Sequence, residues 1–189
     1  MFNPDDMLMN QNAELVGIDK ITDVEDVVVD AGVEKGIINL GMFGDKRVIV
    51  NSQGQLNLCA GSFALNSLEL NSGALVRMPE TGNVVIYVIH DFQWRGKFTT
   101  TEYEDIAKRL KIYVLGSGSM HIETNFAGQL VAPEGDVIIG QSGKDHYGSV
   151  YAKSIVIHQN TKFTWVPYVE SATSATVARI NKIYNVEFF

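Results

Sequence analysis

A single cysteine, Cys59, stands among the 189 residues. It can form no intrachain disulfide and no cysteine-based zinc cluster. Proline is scarce as well, at 4 residues, which suits strands that must donate ladder hydrogen bonds. Basic side chains are outnumbered, with 15 Lys and Arg against 22 Asp and Glu. A net charge of −7 argues against the basic stripe that nucleic-acid binding demands. The longest nearly apolar run, Val84 to Ile89, falls far short of the ~20 residues of a spanning helix, so no membrane insertion is expected. Met1-Phe2-Asn3-Pro4-Asp5-Asp6 has neither the basic stretch nor the apolar core of a secretory leader, and no signal peptide is visible.

What is abundant points to β structure. Val (21) and Ile (16) together far exceed Leu (12), and branched side chains fit a pleated surface. The 17 Gly and 13 Asn supply turns and left-handed backbone positions.

Residues 1–46 differ from the rest. Asp5, Asp6, Glu14, Asp19, Asp23, Glu25, Asp26, Asp30 and Glu34 concentrate negative charge there. This segment is expected to pack on or cap the remainder of the chain. Val27–Val29 and Gly36–Leu40 are its short strand candidates. From Arg47 the pattern becomes many strands of three to six residues separated by Gly, Asn and Ser turns. Candidates are Val48–Val50, Gln55–Leu58, Phe63–Leu65, Ser67–Leu70, Ala74–Arg77 and Val84–Ile89. After an interruption come Lys111–Leu115, His121–Glu123, Gln129–Ala132, Val137–Ile139, Ser149–Ala152, Ser154–His158 and Lys162–Trp165. Within the interruption, Ile106, Ala107 and Leu110 lie at helical spacing. Thr101 with Glu104 has the form of a capping box, so a short helix is expected over 101–110.

An internal repeat runs through the strand region. Gly61-Ser62-Phe63-Ala64-Leu65-Asn66-Ser67-Leu68-Glu69-Leu70 aligns without gaps on Gly148-Ser149-Val150-Tyr151-Ala152-Lys153-Ser154-Ile155-Val156-Ile157. Gly128-Gln129-Leu130-Val131-Ala132-Pro133 matches Gly148 to Lys153 at a distance of 20 residues, and Val137-Ile138-Ile139 answers Ile155-Val156-Ile157. One such repeat cannot bury its apolar side chains alone, whereas stacked turns of chain form a continuous core. The expected fold is an all-β, parallel β-helix over 47–168 with one short helical insertion. Residues 169–189 are then a capping or docking segment. An antiparallel β-sandwich also has short strands at this spacing and is the alternative, although hairpin dipeptides such as Asn-Gly are absent.

The same residues carry a family resemblance. The stretch from Gly54 to Leu70, the Gly-x-apolar-x-Ala-Pro turn at Gly128 to Pro133, and the Gly-x-apolar-x-Ala-Lys-Ser run at Gly148 to Ser154 resemble a bacterial β-solenoid domain of unknown function. That domain occurs in large surface and pilus-assembly-associated proteins. The resemblance covers about residues 47–168 and implies a right-handed parallel β-helix in an exported, extracellular or cell-surface setting. It brings no catalytic residues with it.

Chemistry is sparse in the sequence. His90, His121, His146 and His158 have no metal-ligand spacing and read as solvent-facing strand residues. Gly-x-Ser-x-Gly, phosphate-loop and Gly-x-Gly-x-x-Gly motifs are absent. Neither a metal nor a cofactor is expected, and no catalytic residue is assigned. Asp91, Trp94 and Arg95 mix an acid, an aromatic ring and a base after a strong strand. With Trp165 and Tyr168 they are the candidate carbohydrate-binding residues, since aromatic rings offer rigid contact area at low entropy cost. The alternative is that Phe92 and Trp94 pack the short helix onto the solenoid. The expected function is a non-catalytic structural or adhesive module of a bacterial surface protein, with a polysaccharide or a neighbouring surface protein as partner. One alternative is a self-assembling subunit, since open solenoid ends can add strands. The other is a polysaccharide-active enzyme, which requires convergence among Asp91, Glu134, Asp136 and Asp145.

Overall fold

The computed structural model describes residues 27–32, 34–36, 47–140 and 143–170. In chain order its elements are β1 (Val27–Val29), β2 (Glu34–Gly36), β3 (Arg47–Val50), β4 (Gln55–Asn57), β5 (Gly61–Leu65), β6 (Ser67–Leu70), β7 (Leu75–Arg77), β8 (Val84–Val88), β9 (Phe92–Trp94), β10 (Lys97–Phe98), α1 (Tyr103–Arg109), β11 (Leu110–Val114), β12 (Ser119–Ile122), β13 (Phe126–Ile139), β14 (Asp145–Ile157) and β15 (Lys162–Trp165).

Every strand pair among them is parallel. A sandwich of antiparallel hairpins is thereby replaced by a β-solenoid of about 6 turns. Its first face stacks β1, β3, β6, β9, β12 and the ends of β13 and β14. Its second face stacks β2, β4, β7 and β10. Its third face stacks β5, β8, β11, the starts of β13 and β14, and β15. β1 and β2 already belong to this ladder, ahead of the expected boundary at Arg47. Of the expected strand Gly36–Leu40, residues 37–40 lie outside the described residues.

Coil length varies. Residues paired across the first face are 20 apart (Val48 with Leu68), then 24 (Leu68 with Phe92), 28 (Gln93 with His121), 17 (His121 with Ile138) and 18 (Ile138 with Val156). The long coil holds α1. The short ones omit the second face, so β13 and β14 run from the third face into the first as single strands. The repeat at 20 residues pairs as aligned, Gly128 with Gly148 and Ala132 with Ala152.

Strand alternation sends Val48, Val50, Leu68, Leu70, Ile86, Val88, Ile112 and Val114 inward, where they are buried. Each such side chain contributes roughly 1.5–3 kcal/mol. Corners are stacked as well. Asn71 Nδ2 donates to Asn51 Oδ1 at 3.0 Å, and Asn51 Nδ2 donates to Asp30 Oδ1 at 2.8 Å. Three residues beyond the end of each of these first-face strands the backbone is left-handed, at Gly32, Gln53 and Gly73.

The helix is shorter than expected and starts differently. Glu102 is its N-cap and makes no side-chain bond; Thr100 Oγ1 accepts from the Glu102 N–H at 3.3 Å instead. The Thr101–Glu104 box is not the cap, because the first turn begins one residue later than that box requires. Ile106 and Ala107 are buried, and α1 packs on β13 and β14, the strands whose coils omit the second face. Arg109 anchors the helix end, donating to Asp105 Oδ2 (2.9 Å), Pro79 O (2.9 Å) and Gly82 O (3.2 Å).

Candidate binding face

The outer side of the first face carries two columns of side chains. One runs Arg47, Ser67, Asp91, Ser119, Asp136 and Ser154; the other runs Ile49, Glu69, Gln93, His121, Ile138 and Val156. Both follow from the period of two along each strand and the parallel register between strands. Asp91 directly precedes β9. Its carbonyl accepts from Leu68 N at 2.9 Å, and its N–H donates to Ser67 Oγ at 3.4 Å, which holds it in the first column.

Arg47, Ser67, Glu69, Asp91, Gln93, Ser119 and His121, with the apolar Val48, Ile49, Leu68 and Phe92 between them, line a cleft of about 250 Å³ on this face. Carboxylates accept, guanidinium donates, and hydroxyl, amide and imidazole do both. Hydrogen-bonding groups therefore recur at each coil, about 4.8 Å apart. Beside the cleft, Arg95 forms an ion pair with Glu123 at 2.9 Å. With its amide oxygen turned towards Arg95, Gln93 places that oxygen 2.7–2.8 Å from the guanidinium nitrogens. Further along, Ser154 Oγ donates to Asp136 Oδ1 at 2.6 Å.

The five candidate residues do not form one site. Asp91 is exposed and lies in the cleft, with Arg95 at its margin. Trp94 is 1% exposed. Its ring packs edge-on against Phe126 at 5.2 Å and beside Phe98 at 5.1 Å. The alternation that turns Gln93 outward turns Trp94 into the core, so it offers no face to a sugar. Trp165 is 71% exposed at the end of β15, and Tyr168 lies with it over the third face.

Residues 166–169 cross that third face as a strap. Gln129 Nε2 donates to Val166 O (2.9 Å) and to Ala107 O (2.8 Å). Val169 N donates to Lys108 O (2.9 Å), and Asn83 Nδ2 donates to Val169 O (2.6 Å). Beneath the strap, Lys111 Nζ lies 4.9 Å from the Tyr113 ring centre and 5.3 Å from that of Tyr168. Tyr113 stacks on Tyr87 at 5.0 Å. Burial raises the Tyr168 phenol above its usual range, more than the Asn83 hydrogen bond and Lys111 lower it. Tyr87 and Tyr113 spend a ring face on each other, which suits holding the ladder more than stacking a ligand.

His146 departs from its expectation too. It is buried in line with Phe126 and Phe163, stacked on the latter at 6.3 Å. Neither ring nitrogen has a partner, and burial lowers its pKa to about 4, against a smaller opposing effect of Asp145. The four acids of the enzyme alternative are spread out. Asp91 and Asp136 share a column with Ser119 between them, Glu134 lies at a register shift in β13, and Asp145 opens β14 opposite Lys162 on the third face. Among the described residues no three His, Cys, Asp or Glu side chains gather to hold a metal ion, and no helix is long and apolar enough to cross a membrane.

Arg47, Glu69, Gln93 and Ser119 escaped the sequence reading, and His121 was read as solvent-facing but assigned to no site. Their signal was available, since each is the outward member of an alternating strand. Which outward residues share a column depends on coil lengths of 17 to 28, and no single period predicts those.

Parallel coils stacked in register define a β-solenoid domain. Residues 52–172 match the profile of DUF7305, a domain of unknown function, and the chain belongs to that family. No curated protein and no solved structure matches the chain.

Proposed function

We propose that this solenoid is a non-catalytic adhesive module of a bacterial surface protein and binds polysaccharide along the outer side of its first face. The observation that carries this reading is the cleft that brings Glu69, Asp91, Gln93 and His121 together on the outer side of the first face. Its donors and acceptors repeat along the solenoid axis, and a hydroxyl-rich polymer lying along that axis meets the same kind of partner at each coil. The backbone ladder beneath supplies rigidity, so little ordering entropy opposes binding. The cell-surface setting rests on the resemblance of the Gly128–Pro133 and Gly148–Ser154 runs to domains of surface and pilus-assembly-associated proteins.

The test is electrophoresis of the purified protein in native gels containing soluble bacterial and plant polysaccharides. Retardation by one glycan is expected. It should be lost in Asp91→Ala and in the Gln93→Ala/His121→Ala double variant, and kept in Trp165→Ala. Retardation by no glycan, or retardation abolished only by Trp165→Ala, would overturn this assignment. Protease shaving of intact cells expressing the native gene checks the surface location.

A further inference from the structure

Among the described residues the first face ends in an open edge. The last residues of β14 pair with β13 on one side, and no described residue pairs with the other. One coil earlier the two inward side chains, Val137 and Ile139, are buried. Their counterparts Ile155 and Ile157 are 42% and 52% exposed, and Val156 between them is 51% exposed. His158 N–H donates to Ile139 O. Successive residues of a parallel strand bond to alternate sides, so the N–H groups of Ile155 and Ile157 point to the open edge. An apolar row beside unpaired backbone donors is where another strand adds.

The sequence holds a strand that fits. The first face is built on a four-residue frame with an outward polar residue first and inward apolar residues second and fourth. Ser67-Leu68-Glu69-Leu70, Ser119-Met120-His121-Ile122 and Ser154-Ile155-Val156-Ile157 follow it. Asn185-Val186-Glu187-Phe188 repeats it. Residues 171–189 lie outside the described residues, so the match is one of sequence. Asn185 follows Ser154 by 31 residues, against 28 for the longest coil observed. From Glu170 the remaining 15 residues reach up to about 50 Å extended, enough to regain the first face.

We propose that Asn185–Phe188 returns to the first face as its next parallel strand, beside Ser154–Ile157. Val186 then covers Ile155, Phe188 covers Ile157, and the chain seals its own open end.

Hydrogen exchange resolved to single amides tests this. Three proteins are compared: the full chain, the full chain carrying Val186→Asp and Phe188→Asp, and a chain ending at Glu170. In the full chain the Ile155 and Ile157 amides should exchange slowly at every protein concentration. In both altered proteins they should exchange on the order of 100-fold faster, with β8 amides unchanged. Should the shortened chain fail to fold, the double variant carries the comparison alone. Equal exchange in the full chain and the double variant would overturn the proposal. So would protection that grows with protein concentration, which would assign the edge to a second copy.

Discussion

Gly148 gives the sharpest test of the coil stacking. It faces Gly128 across the β13–β14 ladder with φ +123°. A Cβ added there would lie 1.9 Å from the Gly128 carbonyl oxygen and 2.7 Å from its carbon. Ordinary contact begins near 3.4 Å, so Gly148→Ala must open the ladder by about 1.5 Å. Backbone cannot swing aside as a side chain can. Opening a spacing of about 4.8 Å by that amount breaks two or three flanking hydrogen bonds, each worth about 1 kcal/mol net. The left-handed backbone adds about 1–2 kcal/mol for any residue with a Cβ. The expected loss is about 4 kcal/mol, or a fall in Tm of roughly 8–16 °C for a chain of this size. Two other glycines separate the causes. Gly143 has φ +79° and nothing within 4 Å of an added Cβ, so Gly143→Ala should cost about 1 kcal/mol. Gly118 has open space and no positive φ, so Gly118→Ala should stay within about 0.5 kcal/mol of neutral. Urea unfolding followed by circular dichroism, with m held in common, measures all three. Equal losses for Gly148→Ala and Gly143→Ala would refute the close approach of the two coils.

Gln53 holds a left-handed conformation, φ 64°, between Gly32 and Gly73 in the corner stack. Gln53→Gly should stabilise by about 0.5–1 kcal/mol in urea titration, once the greater freedom of unfolded glycine is subtracted. Trp94→Ala should cost about 3–5 kcal/mol as a core truncation, and any glycan binding should survive where the variant remains folded. His146 makes stability depend on pH. Its folded pKa, about 4, lies below the ordinary 6.5, so the unfolded chain takes up the proton first. Its contribution is complete above pH 6.5, declines as pH falls towards 4 and levels off below. About 2–3 kcal/mol is at stake. His146→Phe should flatten thermal-melt stability between pH 4 and 6.5, and an unchanged slope would place the cause in other groups. Gln129→Leu should cost about 1–3 kcal/mol, because the carbonyls of Ala107 and Val166 lose a buried donor.

The repeat was legible because its apolar positions are an internal property of the chain. Gly128–Ala132 and Gly148–Ala152 pair as their sequences align, and Ser67–Leu70 and Lys162–Trp165 are strands with the expected bounds. Phe92–Trp94 and Lys97–Phe98 were passed over, since polar residues and Gly96 interrupt their apolar pattern and only pairing with neighbouring coils holds them extended.

By itself the sequence determined that short strands stack, that the core is built from Val, Ile and Leu at alternate positions, and that Gly and Asn turn the corners. These follow from local backbone preference and from burial, which each residue carries with it. The tertiary structure alone decided which outward side chains meet. Coil lengths from 17 to 28 set which residues stand level, bringing Asp91 beside Ser67 and Gln93 beside His121. The same register sent Trp94 inward and carried Trp165 and Tyr168 to another face. A binding face is a property of register between coils, and register is fixed only when every coil has closed on the one before it.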